Sequence, residues 1–287
     1  MIKVAVTGAL GKMGREVIKA ITECDETELV AAIDIFEVGK DIGELVLGKK
    51  NNVLISDKLE ESFKETQANV VIDFTQPNSI FENAKKYINL GVSPVIGTTG
   101  LNAEQINELK KLSEEKQVSC LIAPNFSTGA ILMMKFAKEA AKYFNNAEII
   151  ELHHNQKKDA PSGTAIKTAE LMAEENDNFT FGNCEEKETI IGARGANSKS
   201  NIHIHSVRMP GYSASQEVIL GAAGQILTIR HDTSDRKCYM DGVLLAVRYV
   251  SQHKDFIYGL DNIMWYITKV LHFVMKSWRM YDKFRKI

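Results

Sequence analysis

The chain has 287 residues, 44% of them hydrophobic and 25% charged, a composition that excludes a disordered tail-like chain and a fibrous repeat. Its length suits two moderate domains, each burying a core of its own. A formal net charge of -2 lacks the basic surplus that general nucleic-acid binding requires, so any anionic ligand has to be met by local positive groups.

The opening residues, MIKVAVTGAL, run straight into a strand without a charged leader, a long apolar stretch or a cleavage site. Cys24, Cys120, Cys184 and Cys238 are scattered, with no CxxC and no metal-ligand spacing. A cytoplasmic protein with reduced, structural thiols and no metal is expected. Through residue 126, short apolar runs alternate with helical patterns: IKVAVTG, GREVIKAITEC, ELVAAID, NVVIDFT, SPVIGTTG and SCLIAPNF. Strands apolar on both faces and separated by helices predict a doubly wound α/β domain around a parallel sheet. Ligands of such sheets bind beyond the carboxyl ends of the strands, where TGA, DFT, GTTG and APN lie.

Gly8, Gly11 and Gly14 stand between the first strand and the first helix. Glycine lets backbone N–H groups approach a pyrophosphate, and the helix N-terminus favours its charge. The spacing is G-x-x-G-x-x-G rather than G-x-G-x-x-G, so a plain strand-to-helix turn is the competing reading. Asp34, 20 residues after Gly14 at the end of the second strand, supports the dinucleotide, because its carboxylate can accept from ribose hydroxyls. No arginine follows it for a 2′-phosphate, which leans toward NADH over NADPH, although Lys12 or Lys40 could supply a charge. Gly97–Gly100 (GTTG) and Ala123–Phe126 (APNF) end later strands on the same edge, where small residues admit a nicotinamide and Asn125 can bond its carboxamide. Taken singly, each is equally readable as strand-end turn chemistry.

From Phe126 the pattern changes to a helix through Tyr143, the strand EIIELHH, a helix from about Ser162, and then TIIGARG, NIHIHSVRM, QEVILGA and QILTIRHD, all read as strands. Successive strands predict a second domain of α+β type with a mixed or antiparallel sheet over residues 127–235. DGVLLAVRYVSQ is helical in pattern and returns residues 236–287 to the first domain.

Residues 151–165, ELHHNQKKDAPSGTA, are too polar for a core and are either a solvated loop or a site. Strand alternation sends His153 and His154 to opposite faces, so the two share a site only where the strand ends. Ser162 is an N-cap, and the first turn of its helix offers free N–H groups to an anion. Histidine, lysine and a helix end in one loop suit proton transfer to a small carboxylated substrate. Lys158 and Asp159 read as solvated charges, and Glu151 as a group that orients a neighbour.

The last stretch, IMWYITKVLHFVMKSWRMYDKFRKI, aligns Ile263, Ile267, Val270, Val274, Trp278 and Tyr281 on one helical stripe and Lys269, His272, Lys276, Arg279 and Lys283 on another. Charge interrupts it too often for a span, so packing against protein is favoured over a membrane surface.

GALGKMG, DFTQP, GTTG, APNFSTGA, ELHHNQKKDAPSGTA, IGARG, IHSVRMPG and LTIRHD occur in that order, and the set resembles the dihydrodipicolinate reductase family over residues 1 to about 262. The resemblance implies a Rossmann domain for NADH or NADPH and a mixed-sheet domain for substrate and tetramerisation. It implies reduction of the cyclic dicarboxylate 4-hydroxy-tetrahydrodipicolinate to tetrahydrodipicolinate, with loss of water, in lysine and diaminopimelate synthesis. By position, His153 would be a proton donor and acceptor and Lys157 a proton donor, while His154, Gly163 and Thr164 would hold the substrate carboxylates. Gly8, Ala9, Leu10, Gly11, Lys12, Met13, Asp34, Gly97, Thr98, Thr99, Ala123, Pro124, Asn125 and Phe126 would contact the cofactor, with Arg236 a further neighbour. Ala214 replaces a glycine common in the family, and the chain runs on past the family's usual end near Leu260.

Overall fold

Runs that are apolar on both faces have no polar side to keep in water, and in the first half of the chain they become the strands of a covered sheet. The structure is a computed structural model that describes residues 1–181 and 184–264. In chain order its first elements are β1 (Ile2–Thr7), α1 (Lys12–Glu23), β2 (Thr27–Ile33), α2 (Ile42–Val46), β3 (Ile55–Ser56), α3 (Leu59–Thr66), β4 (Val70–Asp73), α4 (Ile80–Asn89), β5 (Ser93–Ile96), α5 (Ala103–Lys116) and β6 (Cys120–Ile122). The second set is α6 (Thr128–Ala141), β7 (Asn146–His153), α7 (Gly163–Ala173), β8 (Ala196–Asn197), β9 (His203–Arg208), β10 (Ala214–Ala222) and β11 (Gln225–Thr233). A 3-10 turn (Arg236–Tyr239), α8 (Met240–Gln252) and β12 (Phe256–Tyr258) complete the described chain.

Two units result, one of Met1–Phe126 with the segment from Tyr239 onward, the other of Ser127–Cys238. In the first, seven strands run in the order β12-β6-β5-β4-β1-β2-β3, every neighbouring pair parallel. Val4, Ala5, Val6, Val70, Val71, Ile72, Val95 and Ile96 are wholly buried, as strands covered on both faces require. The order reverses at β1, which lies between β4 and β2, so the glycine loop after β1 opens at the switch point of the sheet. The short strands β3 and β12 escape the sequence pattern because two or three residues show no alternation.

In the second unit the sheet order is β11-β10-β7-β9-β8. The central strand β7 is antiparallel to β10 and parallel to β9, which makes the sheet mixed. Ala137 and Ala141 of α6 and Ala165, Ala169 and Met172 of α7 pack with Ile149, Ile204, Val218 and Leu220 of the sheet into one core. Small alanines on the helices let them lie close to the branched strand residues.

TIIGARG is not a strand. The Glu188 carboxylate accepts from the Gly192 and Arg194 N–H groups at 2.9 Å each, which closes a loop where a ladder was expected. Ile190 and Ile191 are left 75% and 96% exposed, and only Ala196–Asn197 pairs with β9. Ala214 opens β10 opposite His153, in extended backbone that any residue adopts. Residues 265–287 of the expected basic-faced stretch lie outside the described residues. No helix among the described residues is long and apolar enough to cross a membrane.

Gly8 has φ +73°, and a Cβ there would lie 2.4 Å from the Phe74 carbonyl oxygen. Gly8→Ala should therefore destabilise the first unit by about 3 kcal/mol, through backbone strain and overpacking, with a lowered midpoint of thermal unfolding as the measurement.

Candidate active site

The polar run at the end of β7 is organised by one side chain that the apolar pattern conceals. Ala147, Ile149, Glu151 and His153 alternate onto one face of β7, and Glu151 has no solvent exposure. A buried carboxylate needs donors on both oxygens. Arg208, at the end of β9 and in register with His153, supplies a fork, with Nη2 donating to Oε1 at 2.7 Å and Nη1 to Oε2 at 2.8 Å. The Ser162 N–H donates to Oε1 at 3.2 Å, and the His153 imidazole contacts Oε2 through Nδ1 at 2.5 Å. A carboxylate ionised against arginine only accepts, so Nδ1 carries the proton and donates. The exchangeable position of His153 is then Nε2, which has no partner among the described residues.

The same guanidinium fixes the next loop, since Arg208 Nη2 also donates to the Asp159 carbonyl at 2.8 Å. Lys157 Nζ donates to both Asp159 carboxylate oxygens, at 2.8 and 2.9 Å, so Asp159 is not simply a solvated charge. Ser162 Oγ accepts from the Ala165 N–H and starts α7, a cap that contributes about 1 kcal/mol. The Gly163 and Thr164 N–H groups have no partner among the described residues, and a Cβ built on Gly163 would meet nothing within 4 Å. Glycine there is not needed by the fold and leaves room for a ligand against the helix end. His154 is exposed and turned into its own loop, where Nδ1 accepts from the Gln156 N–H at 3.2 Å. The strand exit does not bring the two imidazoles into contact.

Burial lowers the His153 pKa below 6.5, with the Lys157 and Arg208 charges adding to the fall, and these together outweigh the Glu151 carboxylate, which raises it. Burial raises that of Glu151, but Arg208, Ser206 and His153 overcome it and hold the carboxyl below its ordinary range. Lys157 holds Asp159 low. The neutral imidazole therefore predominates at pH 7.

In the first unit, Asp34 Oδ2 accepts from the Leu10 N–H at 2.9 Å and Oδ1 from the Phe36 N–H at 3.2 Å, tying the end of β2 to the glycine loop. Each oxygen keeps a second lone pair for a ribose hydroxyl. Gly11 is the N-cap of α1, with no side-chain cap and no acidic residue in the first turn, so the N–H groups there face outward for an anion. Lys12 is exposed and Lys40 pairs with Glu37. Gly97, Thr98 and Thr99 follow β5, and Ala123, Pro124, Asn125 and Phe126 follow β6. The cradle, its open helix end and the acidic strand end fit a dinucleotide. Arg236, in the other unit, is exposed at the start of the 3-10 turn.

Arg208 is the residue of the candidate site that spacing alone misses. Its signal is indirect: a glutamate in the apolar face of a strand demands a cation from a neighbouring one.

An amine dehydrogenase from Mycobacterium smegmatis shares this fold over 91% of the chain and 95% of its own, with a TM-score of 0.63 at 14% identity. The architecture, a Rossmann-type sheet unit and a separate mixed-sheet unit, defines the class of fold. Within that class, residues 2–126 match the family described as "Dihydrodipicolinate reductase, N-terminus" and residues 129–264 the one described as "Dihydrodipicolinate reductase, C-terminus". The chain belongs to the dihydrodipicolinate reductase family. It is 52% identical over 271 residues to the 4-hydroxy-tetrahydrodipicolinate reductase of Synechococcus elongatus, covering 92% of this chain and 98% of that one. The counterpart from Thermosynechococcus vestitus is 51% identical over 267 residues, covering 92% and 97%. A solved dipicolinate-bound dihydrodipicolinate reductase from Paenisporosarcina sp. TG-14 is 43% identical, with a TM-score of 0.81 over 92% of this chain and 99% of that one.

Glu151→Gln removes the ion pair between a buried carboxylate and the partly buried Arg208, which keeps only its carbonyl partners, and should cost about 3 kcal/mol of stability. It also removes the carboxylate that raises the His153 pKa, so the imidazole midpoint, followed by NMR titration, should move further down from its already lowered position. In the unsubstituted protein, the depressed His153 makes stability fall as pH drops below about 6.5, since the unfolded chain takes the proton first. The depressed Glu151 adds a second loss below about pH 4.5, and denaturant unfolding at stepped pH should display both.

Proposed function

We propose that this protein reduces 4-hydroxy-tetrahydrodipicolinate to tetrahydrodipicolinate, with loss of water, in lysine and diaminopimelate synthesis. The observation that carries the reading is His153, held through Nδ1 by a buried carboxylate with Nε2 without a partner among the described residues, at the strand end that leads through one loop to an open helix N-terminus. The family and the dipicolinate-bound relative support a small dicarboxylate as substrate.

One substrate carboxylate is received by the Gly163 and Thr164 N–H groups, where the helix end favours negative charge, and His154 grips alongside. Lys157 exchanges Asp159 for the substrate. The exchange costs little, because an ion pair with one partner 62% exposed is worth about 0–1 kcal/mol. The reduction consumes one hydride and one proton and releases water. When bound, the reduced nicotinamide supplies the hydride to the ring carbon opposite the nitrogen. Lys157, cationic and released from Asp159, donates a proton, and His153 takes up or returns one at Nε2 while Glu151 steadies the imidazolium.

Gly8 through Met13, Asp34, Gly97 to Thr99 and Ala123 to Phe126 hold the cofactor. NADH is the preferred form, since a 2′-phosphate would meet the carboxylates of Asp34 and Glu37, and Lys40 is already paired to Glu37. The active form is a homotetramer, supported by the apolar side chains of Ile190, Ile191 and Ile226 left exposed by one chain, and it works in the cytoplasm, where the four thiols stay reduced.

The test is oxidation of NADH and NADPH with substrate generated in place from pyruvate and aspartate semialdehyde. Turnover by the unsubstituted protein supports the reading, and bound nucleotide with no oxidation overturns it. His153→Gln and Lys157→Ala should each lower kcat by about 10²- to 10⁴-fold with NADH affinity unchanged. Asp34→Ser, which removes a repulsion of about 1 kcal/mol, should raise kcat/KM with NADPH relative to NADH by up to about tenfold.

A further inference from the structure

A second buried carboxylate, remote in sequence from the histidine run, stands at the end of β4. Asp73 has no solvent exposure, and no ion pair to it occurs among the described residues. Among the described residues its carboxylate accepts at Oδ1 from the Thr75 N–H (2.9 Å), the Thr75 hydroxyl (2.7 Å) and the Thr98 hydroxyl (2.6 Å), and at Oδ2 from the Tyr87 hydroxyl (2.7 Å). Tyr87, itself fully buried on α4, also meets the Thr7 hydroxyl at 3.1 Å, and Thr7 ends β1. Burial first, and then the negative charge of Asp73, drive the Tyr87 pKa well above its ordinary value, so the phenol keeps its proton and remains a donor. One carboxylate thus ties together the carboxyl ends of β1, β4 and β5.

The next residue shows what that tie controls. The Phe74 carbonyl oxygen would lie 2.4 Å from a Cβ on Gly8, and the Phe74 ring 2.1 Å from one on Gly97. The same ring lies 5.9 Å, centroid to centroid, from that of Phe126. Phe74 is therefore the spacer between the glycine loop, the GTTG segment and the APNF segment, packed so closely against the first two that no side chain fits there. Asp73 sets the position of this spacer through its own backbone and, by way of Thr98, holds the GTTG segment directly.

We infer that Asp73 is a positioning residue for cofactor binding, acting through Thr98 and Phe74 to keep the strand-end segments at the separation a nicotinamide dinucleotide requires. The inference rests on the cofactor reading above. A core role alone would not need the charge to reach into the GTTG segment, whose Thr98 spends its hydroxyl on Asp73. Loss of a hydrogen bond to a charged group on this scale corresponds to about a tenfold change in affinity.

The test uses Thr98→Val and Thr98→Ser, which leave Asp73 and its other donors in place, with Asp73→Asn as a further variant. NADH dissociation constants are measured by fluorescence titration, alongside KM for NADH, kcat at saturating NADH and thermal midpoints. Thr98→Val should weaken NADH about tenfold, and Thr98→Ser should restore it to within about twofold. Asp73→Asn, which puts an amide donor among donors, should weaken it at least as much, with kcat at saturating NADH falling less than KM rises. Unchanged NADH affinity in Thr98→Val, whatever happens to its melting temperature, overturns the positioning role, as does a Thr98→Ser variant as weak as Thr98→Val. Failure of the unsubstituted protein to bind NADH or NADPH would instead overturn the cofactor reading itself.

Discussion

A carboxylate without solvent exposure stays ionised only where donors surround it, and Glu151 on β7 imposes that condition on its whole neighbourhood. Arg208 must come from β9 to neutralise it, and the parallel register that pairs His153 with Arg208 puts the guanidinium there. The Ser162 N–H must face it, which sets where α7 begins. The imidazole of His153 completes the set and is thereby locked in one tautomer. The candidate site is the arrangement forced by a single buried charge, with Nε2 of His153 left on the side away from the carboxylate.

The first unit solves a related problem with neutral donors. Asp73 has threonines and a tyrosine where Glu151 has an arginine, and among the described residues no cation pairs with it. The difference suits the two tasks. A guanidinium fork beside His153 lowers its proton affinity, whereas hydroxyls around Asp73 join strand ends without adding a cation at the proposed cofactor site. In both units the polar atoms cluster at strand ends, because only there can side chains leave the covered faces of a sheet.

The reach of sequence reasoning differed between these places. The glycine loop, Asp34 and the N-cap Ser162 were legible because each follows from chemistry within a few residues: a turn that excludes a Cβ, an acid ending a strand, a hydroxyl before a helix. TIIGARG misled because apolar residues in a row resemble a strand, while Glu188 draws the backbone N–H groups of Gly192 and Arg194 into a loop instead. Lys157 was legible as a cation near the histidines, but its pairing with Asp159 was not, since adjacent charges in a polar run do not reveal which of them meet.

The sequence by itself determined the periodicities, and with them the doubly wound sheet, the mixed sheet and the ordered motifs that mark the family. Those depend on local sterics and on which face of an element is apolar, and both are written in neighbouring residues. Only the tertiary structure decided that Arg208 lies across from His153, that Thr98 bonds to Asp73, and that Phe74 separates Gly8 from Gly97. Those contacts join residues 23 to 66 positions apart or cross strands whose register no local rule specifies, so neighbouring residues do not reveal them.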